Sequence, residues 1–309
     1  MDKIITDLLK IVSDYDEKEG FEGAAFNIRG NSQCLGRQST DNIRIEPKEG
    51  GKGLDIYVAP KTKNEKVYIP ACLSHGNIDE VVYNDFHIGE EADVTIVAGC
   101  GVHSDGEGEA AHNGIHRFFM DPRSKAVYIE KHIGTGDGVG QRNIDPETDV
   151  ELKEGSYLEM QTQQLGGVDH TVRTTRGTIG DGAKLVVKES IMTDGEQYAA
   201  TNFDVSLDGE DSAVDLVSRS VAKGHSLQEY KSKIVGNNKC KGHSECDAIL
   251  VDNGKVDASP QLLAADLDAG LIHEAAIGKV AGEQILKLRT LGLTEKEAEN
   301  RIIDGFLQA

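Results

Sequence analysis

The sequence predicts a mainly β fold with a short helix at its N-terminus and a helical segment at its C-terminus. Between about Ala24 and Val251, helical periodicity is almost absent, and short runs typical of β-strands take its place. Gly supplies 35 of the 309 residues and Pro only 6, which indicates many tight turns in a compact chain. The strand-like runs are 126–133, 157–165, 184–192, 198–207 and 213–221.

Asp-Gly pairs separate several of these runs at regular distances. They occur at 181–182, 194–195 and 208–209, and Asp-Gly favours turns because both residues tolerate positive φ. Strands at such regular spacing predict an all-β sandwich, a barrel or a solenoid. Periodicity alone does not choose among these three architectures.

Both ends of the chain carry helical signals. Residues 1–15 place apolar side chains at helical spacing. Near the other end, Ser259-Pro260 combines an N-cap with a proline at the first helical position, and Thr294 to Glu297 forms a capping box. We therefore expect an N-terminal helix in 1–23, a β core in 24–251 and a C-terminal helical subdomain in 252–309.

The charge balance excludes several classes of partner. Lys and Arg number 33 against 53 Asp and Glu, a net charge of −20, so the surface would repel nucleic acids and anionic membranes. No apolar run reaches the roughly 18 residues of a membrane-spanning helix, and the N-terminus does not have the pattern of a signal peptide. We expect a cytoplasmic protein. The five cysteines are odd in number and scattered, which argues for free thiols.

One segment concentrates candidate metal ligands. Cys240, His243 and Cys246 lie within seven residues, and thiolates with imidazole suit zinc, Cu(I) and iron–sulfur chemistry. Five residues separate the two cysteines, which misses the usual spacing of a structural zinc site. The alternative is a buried thiol beside a histidine in a turn.

Two further histidine motifs are ambiguous. His273-Glu274 begins like a zinc-protease helix, but Ile277 stands where the second histidine is required. The glutamate would then only favour the N-terminal end of a following helix. His112 and His116 share one face and could bind a divalent metal, although the intervening Asn-Gly indicates a turn in which exposed histidines are common.

Cys100 stands between two glycines. Its small neighbours would leave the sulfur accessible, whereas burial as a plain thiol is the usual fate of a cysteine. Cys34 and Cys72 have no assigned role.

The C-terminal part of the sequence contains an ordered series of motifs. They are Gly242-His-Ser-Glu-Cys-Asp-Ala248, Leu271-Ile-His-Glu-Ala-Ala-Ile-Gly-Lys279, Gln284, Leu291-Gly-Leu-Thr-Glu-Lys-Glu-Ala298 and Ile302-Ile-Asp-Gly-Phe306. This series resembles the SufB/SufD family of iron–sulfur cluster assembly scaffolds, strongly over residues 200–309 and more weakly over most of the remaining chain. The resemblance implies a right-handed parallel β-helix with a C-terminal helical subdomain, which pairs through its β-helix and docks an ABC-type ATPase (SufC).

The resemblance also implies roles for individual residues. Cys246 matches the family cysteine at the scaffold interface, and His273 with Glu274 matches the His-Glu element that faces it. Cys100 resembles the sulfur-entry cysteine, although Glu130-Lys-His stands where the larger SufB pattern has a Gln-and-Trp element, which puts sulfur delivery through the body in doubt. Cys240, His243, His112 and His116 are further metal candidates.

The expected function is therefore a homodimeric scaffold that carries a transient iron–sulfur cluster and works with a SufC-type ATPase. The resemblance also implies that the chain is a minimal, single-gene version, with two copies in place of a SufB–SufD heterodimer. Sulfur would come from a cysteine desulfurase or from sulfide. No Walker motif is present, so we expect ATP to be hydrolysed by the partner and not by this chain. The alternatives are a β-helix carbohydrate-active enzyme and a structural, SufD-like partner-binding subunit.

Overall fold

The chain forms a parallel β-solenoid of about eight turns, with short helices at both termini. The computed structural model describes residues 2–308. Each turn contributes a strand to each of two sheets, and successive strands within a sheet are parallel except at the N-terminal end, where β1–β2 (Ala25–Gly30 and Gln33–Gln38) and β3–β4 (Ile43–Pro47 and Gly53–Val58) pair antiparallel. The predicted mainly β class and the β-helix implied by the family resemblance are confirmed.

The first sheet continues from β1 towards the C-terminus. Its remaining strands, in spatial order, are β5 (Lys63–Leu73), β7 (Asp93–His103), β9 (Lys125–Thr135), β12 (Tyr157–Gln164), β14 (Lys184–Thr193), β16 (Ser212–Ala222), β18 (Cys240–Leu250) and β20 (Ala269–Gly278).

The second sheet continues from β4 in the same direction. Its remaining strands are β6 (Ile78–Ile88), β8 (Ala110–Met120), the short pair β10 and β11 (Arg142–Asn143 and Glu147–Leu152), β13 (His170–Ile179), β15 (Tyr198–Leu207), β17 (Leu227–Gly236) and β19 (Lys255–Ala264). A single 3₁₀ turn, Glu49–Gly51, precedes β4.

The hydrophobic core lies between the two sheets. Alternate residues of each strand point inward, so one side chain from every rung stacks on the equivalent residue of the next. Phe86 and Phe118 stack in this way, with ring centroids 4.6 Å apart. Each fully buried side chain of this size contributes about 1.5–3 kcal/mol through the hydrophobic effect.

The predicted strands and turns between 126 and 221 are confirmed. Each predicted run coincides with β9, β12, β14, β15 or β16 to within about two residues. The Asp-Gly pairs lie in the corners between strands, where Gly182 and Gly195 both have φ of +60°. Glycine adopts this left-handed conformation without the steric cost that a Cβ brings.

The N-terminal helix α1 (Lys3–Ser13) packs on the outer face of the first sheet. Asp2 caps it by accepting a hydrogen bond from the amide of Ile4 at 3.2 Å. The helix approaches β7 so closely that a Cβ at Gly99 would lie 2.5 Å from the carbonyl oxygen of Val12. Only glycine at residue 99 leaves room for this contact between α1 and β7.

The prediction of a helix from Ser259 onward is wrong. Ser259 and Pro260 lie within β19, and His273 with Glu274 lies within β20, so the solenoid extends to Gly278. Proline is tolerated because β19 is an edge strand, where a missing backbone N–H removes no ladder hydrogen bond on the outer side. The N-cap pattern favours a helix locally, but pairing of this segment with β17 stabilises a strand instead.

The C-terminal helices begin beyond the solenoid. They are α2 (Gly282–Arg289) and α3 (Glu295–Gln308). The predicted capping box is confirmed, since the amide of Thr294 donates to Glu297 at 2.8 Å and the amide of Glu297 donates back to the Thr294 hydroxyl at 3.3 Å. No helix within residues 2–308 is long and apolar enough to cross a membrane.

Candidate functional site

The candidate ligands of β18 divide between its two faces. Cys240 and Cys246 point into the solenoid and are buried, whereas His243 points outward and is partly exposed. Six residues of extended strand place the two cysteines roughly 20 Å apart. Of the two alternatives that the sequence left open, the structure therefore has buried thiols, and Cys240, His243 and Cys246 do not converge on one metal ion. Because the segment is an extended strand, its side chains alternate between two faces and do not approach one another as they would in a turn.

Cys246 is a buried thiol near the C-terminal end of the solenoid. It pairs in register with Ser218 on β16 and Ala275 on β20. Burial raises its pKa to about 12, and the nearby carboxylates of Glu189 and Asp247 act in the same direction. The sulfur is therefore protonated at neutral pH until a cation takes the place of its proton.

His273 lies on the next strand, facing the same interior. It pairs in register with Ser244, two residues before Cys246, so the imidazole and the thiol are diagonal neighbours on adjacent strands. Among the described residues 2–308, Nδ1 of His273 is buried and has no hydrogen-bond partner. An unpaired buried nitrogen is costly, so this atom is available for a ligand that the chain itself does not supply.

Glu274 points away from Cys246 and His273. Neighbouring residues of a strand face opposite sides, and Glu274 consequently lies outside the solenoid with His243 and Glu245. Ligand atoms of these three residues lie within 4.8 Å of one another, and Asp215 holds Nδ1 of His243 at 2.8 Å. An imidazole and two carboxylates are ligands that ferrous iron accepts. The role of Glu274 as a cluster ligand stays a prediction.

Cys100, on β7, faces the interior of the solenoid and is buried, which is the second of the two alternatives that the sequence left open. The flanking glycines do not open a path to it, because α1 fills the space above Gly99 and Gly101. Burial raises the pKa of Cys100 well above its ordinary value, and the charge of Glu130 adds to the effect.

His112 and His116 lie within β8 rather than beside a turn, and both are buried. The Asn-Gly between them continues the strand, because residues 110–120 pair without interruption with β6. Nδ1 of His112 lies 2.9 Å from Glu80, and Nδ1 of His116 lies 3.2 Å from the Tyr128 hydroxyl. Burial lowers the pKa of His116 to about 4, so this imidazole is neutral at pH 7.

A buried ionic network, which the sequence reasoning missed, occupies the middle of the solenoid. Arg173 donates to Glu130 at 2.6 Å and to Nδ1 of His132 at 3.1 Å, and its Nε lies 3.4 Å from Glu189. Burial alone would raise the pKa of Glu130, but His132 and Arg173 outweigh it and hold this pKa well below its usual range. Glu189 behaves oppositely, because burial raises its pKa more than Arg173 lowers it.

This network links the two cysteines that the family resemblance singled out. Cys100 on β7 pairs in register with His132 on β9. Glu130, two residues before His132 on β9, begins a row of side chains that continues on successive strands of the first sheet with Thr162, Glu189, Ser218 and Cys246. Five inter-strand steps separate β7 from β18, or roughly 24 Å. In the sequence, these polar residues recur about one solenoid turn apart. Their alignment can be recognised only when the number of residues in each turn is known.

The fold and the site together define a class of protein: a parallel β-solenoid with an apolar core, a buried ionic network in its middle, and a buried thiol and imidazole near its C-terminal end. The family model for the SUF system FeS cluster assembly SufBD core domain matches residues 80–306. The chain belongs to this family.

Curated relatives carry the same family description. A SufBD family iron–sulfur cluster assembly protein from Archaeoglobus fulgidus is 28% identical over 89% of this chain and 73% of its own length. A homologue from Methanothermobacter thermautotrophicus is 26% identical over 87% of this chain, which spans 65% of that protein. One from Methanocaldococcus jannaschii is 27% identical, with 89% of this chain and 88% of the relative aligned.

Proposed function

We propose that this chain is a scaffold subunit on which iron–sulfur clusters are assembled, and that Cys246 and His273 hold the nascent cluster. The observation that carries the proposal is the buried Nδ1 of His273, which no group in the described part of the chain pairs with, beside the inward-facing Cys246 thiol. Membership of an iron–sulfur cluster assembly family supports iron and sulfide as the cargo.

The chemistry of the two residues suits a transient cargo. Thiolate sulfur and neutral imidazole nitrogen both bind iron. One thiolate and one imidazole from each chain hold a cluster less tightly than four thiolates, which favours its release to a recipient. The remaining ligands would come from a second copy of the chain.

A second copy would dock on the open end of the solenoid. Leu262 on β19 and Ile277 on β20 point towards the core, yet they remain 38% and 42% exposed because no further turn covers them. Both strands are also edges of their sheets, with backbone groups free to pair. Pairing of two such ends would bury this apolar surface and bring two copies of Cys246 and His273 towards one interface.

The C-terminal helices are the proposed docking surface for a SufC-type ATPase. None of the residues of α2 is buried, and Leu286 on α2 and Leu291 just after it are 61% and 76% exposed. Exposed apolar side chains on a helix are typical of a surface that a partner covers. Because α3 packs on the first sheet next to Ser190, force applied to the helices would reach the strands that carry the cluster site.

Anaerobic reconstitution with ferrous iron and sulfide tests this function. The wild-type protein should develop the visible absorption of an iron–sulfur cluster, and both Cys246→Ala and His273→Ala should lose most of it. Cys240→Ala is the matched control, since Cys240 is a buried, inward-facing cysteine on the same strand. Full cluster formation by Cys246→Ala would contradict the proposal.

A further inference from the structure

An outer triad of potential metal ligands lies on the outer face of the first sheet, near its C-terminal end. It consists of Glu245 on β18, its partner in register Glu274 on β20, and His243, which lies two residues before Glu245 on the same face. One ligand atom of each residue lies within 4.8 Å of the other two. Divalent cations of the first transition row bind imidazole nitrogen and carboxylate oxygen at about 2.0–2.2 Å, so two ligands of one ion lie up to about 4.4 Å apart. A small rotation of the side chains therefore brings all three onto one ion.

The imidazole of His243 is already oriented for a ligand. Asp215, its partner in register on β16, lies 2.8 Å from Nδ1. In the neutral form of the ring, this carboxylate accepts from Nδ1–H, which leaves the lone pair on Nε2. Nε2 in turn lies 3.9 Å from a carboxylate oxygen of Glu274. Histidine ligands of metal ions are commonly fixed by a carboxylate in this way.

The charges around the outer triad favour a cation. The two carboxylates of the triad and that of Asp215 face one nearby guanidinium, which belongs to Arg219. Its Nη2 lies 3.9 Å from Glu245, which is too long for a hydrogen bond. The guanidinium therefore does not occupy the carboxylate oxygens of Glu245.

A second group of the same composition has the opposite charge environment. Asp55, Asp85 and His87, on the outer face of the second sheet, also place ligand atoms within 4.8 Å of one another. The ammonium of Lys48, however, lies 2.5 Å from Asp55 and 2.9 Å from Asp85. Arg117 donates two further hydrogen bonds to Asp85. These two cations neutralise the carboxylates, so a metal ion would have to displace Lys48, whereas the outer triad is open to a cation.

We infer that the outer triad binds one ferrous ion, outside the solenoid and independently of Cys246 and His273. The identity of the ion rests on the proposed function, in which iron is part of the cargo. An imidazole with carboxylates is a ligand set that ferrous iron accepts. The side chain of Glu274 is 68% exposed, so iron reaches the triad directly from solvent.

The outer triad shares its two strands with the proposed cluster ligands. Glu245 directly precedes Cys246 on β18, and Glu274 directly follows His273 on β20. Because neighbouring residues of a strand face opposite sides, the sheet separates the two sites. Among the strands of residues 2–308, β20 is the last of the first sheet, so the shortest route between the two faces runs around its free edge. The triad is thereby placed to hold iron beside the site at which the cluster forms.

The test is an anaerobic calorimetric titration with ferrous ammonium sulfate in the absence of sulfide. The protein titrated carries Cys246→Ala and His273→Ala, so that the proposed cluster ligands do not contribute. It should bind one ferrous ion per chain. Adding His243→Gln or Glu274→Gln should weaken this binding about tenfold or more, because each removes one ligand. His87→Gln is the matched control, since it alters an outward-facing histidine beside two carboxylates, and it should leave the binding unchanged.

Two outcomes would overturn the inference. One is a Cys246→Ala/His273→Ala protein that has native circular dichroism and takes up no ferrous iron. The other is an unchanged affinity for iron after both His243→Gln and Glu274→Gln. Since the titrated protein lacks the proposed cluster ligands and no sulfide is present, either result is separate from a failure of cluster assembly at Cys246.

Discussion

Cys246 carries a proton that must leave before its sulfur can bind iron. Its pKa is about 12 because the thiol is buried and lies near Glu189 and Asp247. The positive charge of a bound metal reverses this effect by favouring the thiolate. The proposed binding of iron at this residue would therefore be coupled to proton release over the whole physiological range of pH.

The affinity for ferrous iron should accordingly increase with pH. Below the raised pKa of Cys246, each thiolate formed releases one proton, so the binding constant should rise by up to about one log unit per pH unit between pH 6.5 and 8.5. Anaerobic iron titrations at several pH values measure this slope. Cys246→Ala should show a smaller slope, and identical slopes in the two proteins would contradict the assignment.

At the residue scale, the sequence identified the candidate ligands better than it predicted their arrangement. Cys246, His273 and Cys100 all point into the solenoid, but Glu274 and His243 lie on its outer face. Neighbouring residues of a strand face opposite sides of the sheet. Because a helix was expected after residue 259, this alternation was not applied to His273 and Glu274. The Glu130–Arg173 pair was not foreseen, because charged residues are rarely buried and their partners are far apart in the chain.

Among the secondary-structure elements, the strands with turn signals at both ends were predictable and the last two strands were not. The runs at 184–192 and 198–207 are bounded by Asp-Gly corners, which fixed their position. In β19, by contrast, Pro260 is allowed because no strand of the described chain, residues 2–308, pairs with the outer edge of that strand. Position in the sheet is a tertiary property that a local pattern does not contain.

The docking of α1 on β7 depends on Gly99. A methyl group at this residue would press on the carbonyl of Val12, so Gly99→Ala should destabilise the protein by about 1–3 kcal/mol. Denaturant unfolding monitored by circular dichroism measures the change.

A second glycine provides the control. Gly305 lies within α3, and a Cβ at this residue would meet no atom within 4 Å apart from its chain neighbours and the backbone of its own helix, so Gly305→Ala should stabilise the protein by about 0.5–1 kcal/mol through helix propensity. Equal stability of Gly99→Ala and the wild type would mean that α1 does not hold this close contact.

At the scale of the whole molecule, the C-terminal end of the solenoid is open, because no further turn covers β19 and β20 in the described structure. Inward-facing apolar residues there are exposed, and at the same end one nitrogen of the His273 imidazole has no hydrogen-bond partner within residues 2–308. A closed solenoid would cover both. The docking of a second copy, as proposed above, would account for both the exposed end and the unpaired nitrogen.

A charge placed at this end should prevent self-association. Leu262→Lys puts an ammonium group where two apolar ends would meet, and it should convert a dimer to a monomer at micromolar concentration. Sedimentation equilibrium measures the mass. Val139→Lys, which changes an 84% exposed loop residue elsewhere, should leave the dimer intact. A wild-type protein that is monomeric at every concentration would contradict end-to-end pairing.

The central claim is that His273 and Cys246 together bind the cluster, and pulsed electron paramagnetic resonance tests it most directly. A reconstituted and reduced cluster should show nitrogen hyperfine coupling that shifts when the histidines are labelled with ¹⁵N. His273→Gln should remove the coupling, whereas His243→Gln should retain it. A cluster without nitrogen coupling, or one whose coupling survives His273→Gln, would contradict the account.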